Sequence, residues 1–152
     1  MKSTRWTDAD FSEMSWHDVH VHGLRVVEGE HGTGELNLDI DYILEWLKKD
    51  QAFSFRIAPA ILQFHHMSGL RMALDYATPT IGIVPFSISG IKREPVTYKT
   101  GYNSFRWRLE VNCPEGSLEF EAPSFTQVLS GPEMISNNQR LLPSERGEKH
   151  GV

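Results

Sequence analysis

Two histidines separated by one residue, His20 and His22, are the side chains of this sequence best spaced to do chemistry together. On an extended strand, residues i and i+2 share a face. Their imidazoles then sit about 6.5–7 Å apart along the strand, close enough to reach one metal ion, as in strand-borne zinc or non-haem iron sites. Further ligands would have to come from Asp18, from His65 or His66, or from His31. The candidate metal set is His20, His22 and His65, with a divalent ion as the implied cofactor. The candidate ligand-binding set is Asp18, His20, His22 and Asp41, suited to a small anion or other small ligand. The plainer alternative is a pair of amphipathic strand residues held by hydrogen bonds, since His-x-His arises often by chance.

Other chemistry-bearing residues are weaker. His65 and His66 are adjacent, so on a strand they face opposite ways and cannot share one ligand. The same geometry separates His17 from Asp18 on a strand, where a turn carboxylate accepting a backbone hydrogen bond is the ordinary use of Asp18. Asp39 and Asp41, with Glu35, recur with period two and could form an acid/base pair or an oxygen cluster for calcium. Acidic residues in such a row are more often the solvated face of a strand. There is no G-x-S-x-G elbow, no P-loop and no G-x-G-x-x-G fingerprint. Cys113 precedes a proline in a turn with no histidine close in sequence and reads as a plain loop thiol. No catalytic residue is assigned, and the balance leans away from an enzyme.

The elements that must position the histidines form a hairpin. Leu36, Leu38, Ile40 and Tyr42 alternate with Glu35, Asn37, Asp39 and Asp41, the period of a half-buried strand. Residues 28–34 carry three glycines, which tolerate the positive φ angles of hairpin turns. Pairing Val26 with Leu36 places Leu24 and Val26 on the apolar face with Leu38 and Ile40. With an unbroken register His20 and His22 also point inward, towards Ile40 and Tyr42, and this phase is the expectation. A bulge at Gly23 would flip both outward.

Composition bounds the class. A chain of 152 residues with 39% hydrophobic and 11% aromatic residues is long and apolar enough for one folded domain with a genuine core. A formal charge of −5 disfavours a nucleic-acid surface, which needs clustered lysine and arginine. A single cysteine rules out an internal disulfide framework and, with no signal peptide in view, points to a reducing, cytoplasmic setting. No apolar run approaches the ~20 residues of a membrane helix.

Along the chain, residues 1–14 read as a polar N-terminal arm in which Trp6 and Phe11 alone have much to bury, 15–131 as the β-domain, and 132–152 as a polar, frayed tail. Trp16 is expected to anchor the start of the first long strand in the core. Residues 43–51 read as a helical turn or a strand end, and Phe53 to Ile57 as a strand that Pro59 breaks or confines to an edge. Residues 61–66, 70–76 and 86–91 follow as strands. Residues 78–85 and 92–102 read as connections. Phe105, Trp107, Leu109 and Val111 form the clearest strand, joined through 112–116 to Leu118 and Phe120, and residues 124–130 add a last one. Arg106 and Arg108 should then face Glu119 and Glu121 on the solvent side. Phe53, Phe55, Phe105, Trp107 and Phe120 read as core, although a barrel lined by them could hold an apolar ligand. The expected fold is all-β: a single-domain antiparallel β-sandwich or barrel of about eight to nine strands with little helix.

The segments SWHDVHVHGLRV, LNLDIDYILEW, APAILQFH, SGLRMALDY, FSISGI and FRWRLE together resemble a family of small bacterial all-β proteins whose activity is uncharacterised. The likeness runs from about Phe11 to Gly131. The Trp16-His17-Asp18 opening is similar to the aromatic-His-Asp start of small β-proteins, some of them immunity proteins of toxin systems. The resemblance implies an all-β fold and a protein partner, and it carries over no catalytic residue. The leading expectation is therefore a non-enzymatic protein-interaction module that meets a basic partner with Glu35, Asp39 and Asp41 or with Glu119 and Glu121. The alternative is a metal- or small-ligand-binding β-barrel built on the His20/His22 strand, which could be an enzyme. An exposed edge strand would also permit a dimer.

Overall fold

The structure, a computed structural model, describes residues 4–76, 86–112 and 114–146. Within them run β1 (Arg5–Thr7), β2 (Val19–Glu28), β3 (Gly34–Lys49), β4 (Ala52–His65), β5 (Ser68–Leu74), β6 (Phe86–Thr97), β7 (Asn103–Asn112), β8 (Gly116–Ala122), β9 (Ser124–Leu129) and β10 (Met134–Ser136). Two short 3-10 segments, Asp8–Glu13 and Glu30–Gly32, are the only helical turns among the described residues. The all-β antiparallel expectation holds.

All ten strands belong to one sheet ordered β1-β9-β4-β3-β2-β6-β7-β8-β5, with β10 also on β4. The sheet is not closed. It is strongly curled, because side chains from distant strands meet inside it: Phe64 of β4 lies 4.9 Å from Trp107 of β7 and 4.7 Å from Phe120 of β8, ring centre to ring centre. The two halves thus face each other as the layers of a sandwich do, around one core.

The core is what the alternation predicts. Leu36, Leu38, Ile40 and Tyr42 are buried, as are Trp107, Leu109, Val111, Leu118 and Phe120. Trp16 is buried too, its Nε1–H donating to Gln127 Oε1 at 2.8 Å. Arg106 pairs with Glu121 and Arg108 with Glu119 across β7 and β8, as the alternation requires. Phe53 departs from the expectation. It is half exposed, because it lies at the outer end of the β3–β4 hairpin, beyond the core.

Several expected breaks are absent. Residues 43–49 continue β3, and Pro59 sits buried in the middle of β4. The proline is tolerated because of where β4 changes partners. β9 pairs β4 from Ala60 onward and β10 pairs it from Ile57 back, so Pro59 faces the gap between the two. Its carbonyl accepts from Ser130 N at 2.8 Å, and its missing N–H falls on the same side, where no ladder acceptor waits. Residues 92–97 extend β6 past Pro95, at a height where β6 has β7 alone as a neighbour. The expected connection at 78–85 and Cys113 lie outside the described residues.

Described residues of both expected terminal segments join the sheet. In the expected N-terminal arm, β1 pairs with β9, and Phe11 packs edge-on against Trp107 at 5.5 Å. The Arg93 guanidinium lies 4.2 Å over the Phe11 ring and 3.1 Å from Asp8 Oδ1, which pins the 3-10 segment down. In the expected frayed tail, β10 pairs with β4, and Leu141 and Arg146 are buried. No described helix is long and apolar enough to cross a membrane.

Candidate functional site

The hairpin of β2 and β3 has the expected register at its outer end, with Val26 opposite Leu36 and Leu24 opposite Leu38. Its register shifts between Val21 and Gly23, so that Val21 lies opposite Ile40 and His20 opposite Asp41. The bulge is the alternative that the glycine allowed, and it corrects the inward phase. Val19 and Val21 fill the core, while His20 and His22 turn to the face of Asp39 and Asp41. Val26, expected inside, is 58% exposed.

That outer face is nonetheless buried, because the C-terminal segment crosses it. Asp41 is fully buried. Its Oδ2 accepts from His22 Nε2–H at 2.6 Å and from the Leu141 amide at 2.7 Å. Its Oδ1 accepts from Arg146 Nε at 3.0 Å. The same guanidinium bonds Asp39 through both terminal nitrogens and the Ile40 carbonyl at 3.3 Å. Two carboxylates of one strand thus close on one arginine about a hundred residues away. Each charge inside is matched, as burial demands. The arrangement is a latch that holds residues 141–146 to the sheet.

His20 stands beside this latch, its ring perpendicular to that of His22 with centres 4.6 Å apart. It is 3% exposed. Burial, then the neighbouring His22, pulls its pKa down to about 4, against the opposing pull of Asp41, so the ring is neutral at pH 7. The unfolded chain therefore takes up a proton on His20 between about pH 6.5 and pH 4 that the folded chain refuses. Stability from this group is complete above the upper value and is lost as pH falls through the window. We expect the urea midpoint to drop between pH 7 and pH 5 and the drop to be smaller in His20→Asn. An equal drop in that variant would remove His20 as its source.

The ring of His20 faces a cleft of about 340 Å³ between β2, the start of β6 and residues 138–142. Asp18, Ser87, Asn138, Arg140 and Leu142 also line it. Asp18 holds φ 63° in the turn before β2, and its amide donates to the Ile88 carbonyl at 2.9 Å. Its carboxylate accepts from Gln139 Nε2 at 3.1 Å and lies 3.3 Å from His17 Nε2. The turn explains why His17 and Asp18 meet although neighbours on a strand would not.

The four residues of the expected ligand set therefore fall on one side of the sheet, with Asp18 and His20 at the cleft and His22 and Asp41 locked behind it. The expected metal set does not assemble. His65 lies opposite Glu35, about 20 Å along β3 from Asp41. There its Nδ1–H donates to Glu35 Oε2 at 3.1 Å and its Nε2 accepts from Thr126 Oγ1 at 3.0 Å. His31 and His66 are exposed turn residues elsewhere. No group of three His, Cys, Asp or Glu side chains among the described residues is arranged to hold a metal ion.

The acidic rows expected to attract a basic partner are also engaged within the chain. Asp39 and Asp41 hold Arg146, Glu35 holds His65, Glu119 pairs with Arg108, and Glu121 accepts from the Tyr98 hydroxyl at 2.5 Å. Arg146, Leu141 and Gln139 are the site residues that sequence reasoning missed. The one signal for them is the apolar pair Leu141-Leu142 inside an otherwise polar tail. No family model, no curated protein and no solved structure matches the chain.

Proposed function

We propose that the chain is a non-enzymatic protein-interaction module whose contact surface is the outer end of the β3–β4 hairpin. The carrying observation is an aromatic cluster left open there. Trp46 is 43% and Phe53 50% exposed, edge to face with centres 5.8 Å apart. Phe55 backs Trp46 at 4.9 Å, and His17 stacks on it at 6.3 Å and 19°. Lys48 lies 5.9 Å over the Phe53 ring, and the exposed Glu45 and Lys49 are its neighbours on the same hairpin. An apolar aromatic centre within a charged rim is the anatomy of a binding patch, and Trp ranks first among residues that dominate such contacts. Past a register shift between Ile43 and Glu45, the ladder continues from Glu45–Arg56 to Lys49–Ala52, so the patch is presented on paired strands and loses little entropy on binding.

An immunity-like role in a bacterial, cytoplasmic setting is one form of this reading. The partner would then bury Trp46 and Phe53 rather than meet the acidic rows. The test is a photo-crosslinking residue placed at position 53 and, as control, at the equally exposed Tyr102. A discrete adduct with one partner, seen from position 53 and lost on Trp46→Ser with the melting temperature unchanged, is expected. Adducts that are equal from both positions would end the proposal.

A second reading, a small-ligand binder on the β2 strand, is supported by the cleft of about 340 Å³ that His20 and Asp18 line together.

A further inference from the structure

The outer face of β5, β7 and β8 carries two exposed arginines beside carboxylates that are already engaged. Arg106, Glu121 and Ser68 stand in one row across β7, β8 and β5, and Arg108, Glu119 and Arg71 stand in the next. Glu119 accepts from Arg108 Nη1, and Glu121 accepts from the Tyr98 hydroxyl at 2.5 Å. Neither Arg71 nor Arg106 forms a hydrogen bond or an ion pair with a described residue. A bulge puts Arg71 on this face. β5 takes three steps from Ser68 to Arg71 where β8 takes two from Glu121 to Glu119, and Gly69 holds φ 63° in the extra length. An unbroken strand would give the place to Leu70, which instead packs against the core.

Arg71 and Arg106 lie diagonally, two strands and one two-residue step apart, or about 12 Å between Cα atoms. Both side chains can therefore meet one group between them. They line a cleft of about 370 Å³ together with Ser68, Glu119 and Glu121. Ser68 and Glu121 also line a second cleft of about 680 Å³, so the two adjoin. Tyr98 and Tyr102 line the second, each about half exposed, with ring centres 6.1 Å apart.

We propose that this groove binds a nucleoside monophosphate, with the phosphate on Arg71 and Arg106, the ribose beside Glu121 and the base against Tyr98 and Tyr102. A phosphate monoester carries close to two negative charges at neutral pH and takes bidentate bonds from guanidinium, so it matches two open arginines where a carboxylate needs one. Glu121 accepts from ribose hydroxyls, as acidic residues do in dinucleotide sites. Tyrosine rings offer a stacking surface to any base. Two arginines hold one phosphate and not a run of them, so the site takes a monomer and not a nucleic-acid strand.

The experiment is a titration of the whole protein, followed by the ring proton signals of its tyrosines. The probes are the 5′-monophosphates of adenosine, guanosine, cytidine and uridine, the four parent nucleosides, and ribose 5-phosphate. At least one monophosphate should shift the Tyr98 and Tyr102 signals saturably, and bind at least tenfold tighter than its nucleoside and than ribose 5-phosphate. Arg71→Gln and Arg106→Gln change exposed side chains and keep the fold, and each should weaken that binding at least fivefold. Tyr102→Ser should weaken it as well, whereas Arg25→Gln, an exposed charge on β2, should leave it within twofold. No saturable shift with any monophosphate would overturn the proposal. So would a nucleoside or ribose 5-phosphate that binds as tightly, or an equal loss in Arg25→Gln. The site shares no strand with the Trp46 and Phe53 patch, so its failure leaves that reading standing.

Discussion

Trp107→Ala is expected to cost about 3–5 kcal/mol, enough to leave a domain of typical stability largely unfolded at moderate urea. Trp107 is fully buried at the place where the two halves of the curled sheet meet. Its ring centre lies 4.9 Å from Phe64, 5.5 Å from Phe11 and 5.7 Å from Phe125, so its removal opens a cavity bounded by β4, β9 and the N-terminal 3-10 segment at once. Its Nε1–H also donates to the Ala122 carbonyl at 2.9 Å, and truncation strands that buried acceptor. Tyr102→Ala, at a half-exposed tip, should fall within about 0.5 kcal/mol of the parent. Urea midpoints decide the matter. A Trp107→Ala cost under about 1 kcal/mol would mean that the halves are held together elsewhere.

That residue was legible from sequence because its strand alternates without interruption from Phe105 to Val111, and period two survives any error in strand pairing. The same holds for Leu36 to Tyr42, whose burial follows from their spacing alone. Legibility fails where a single residue changes the phase. At Gly23 the unbroken register and the bulge were both open, and the choice between them moved His20 and His22 from one face to the other. Bulge formation depends on what packs against each face, and here the valines win the core because two β-branched side chains bury more favourably than two imidazoles. Pro59 misled for a related reason. A missing N–H forbids a central strand only if the ladder needs it there, and the handover from β9 to β10 removes that need.

The C-terminal segment was illegible on different grounds. Its polar composition gives no periodic signal, and its burial rests on pairwise charge matching with a strand some hundred residues earlier. Nothing in the local pattern of Asp39-Ile-Asp41 distinguishes a solvated face from one covered by an arginine. The His20 cleft inherits this, since half its wall comes from residues 138–142. Sequence spacing therefore found the histidines and the carboxylate beside them, and tertiary pairing determined what surrounds them.

Asp41→Ala should release that segment at a cost of about 3–5 kcal/mol, the range for removing one partner of a buried pair. Three donors lose their acceptor together: the Arg146 guanidinium, the Leu141 amide and His22 Nε2–H. Asp39 cannot take over, because its side chain is 40% exposed and water screens what it offers. Asp41→Asn, which keeps an oxygen for the Leu141 amide but not the charge, should cost less. The distinguishing measurement is amide hydrogen exchange. Leu141 should lose protection in Asp41→Ala far more than Leu109, which lies in β7 inside the core. A paired variant with Asp41→Leu and Arg146→Met should recover much of the loss, since an apolar pair leaves no uncompensated charge. Undiminished protection at Leu141 in Asp41→Ala would show that the segment is held by Leu141 packing instead of by the latch.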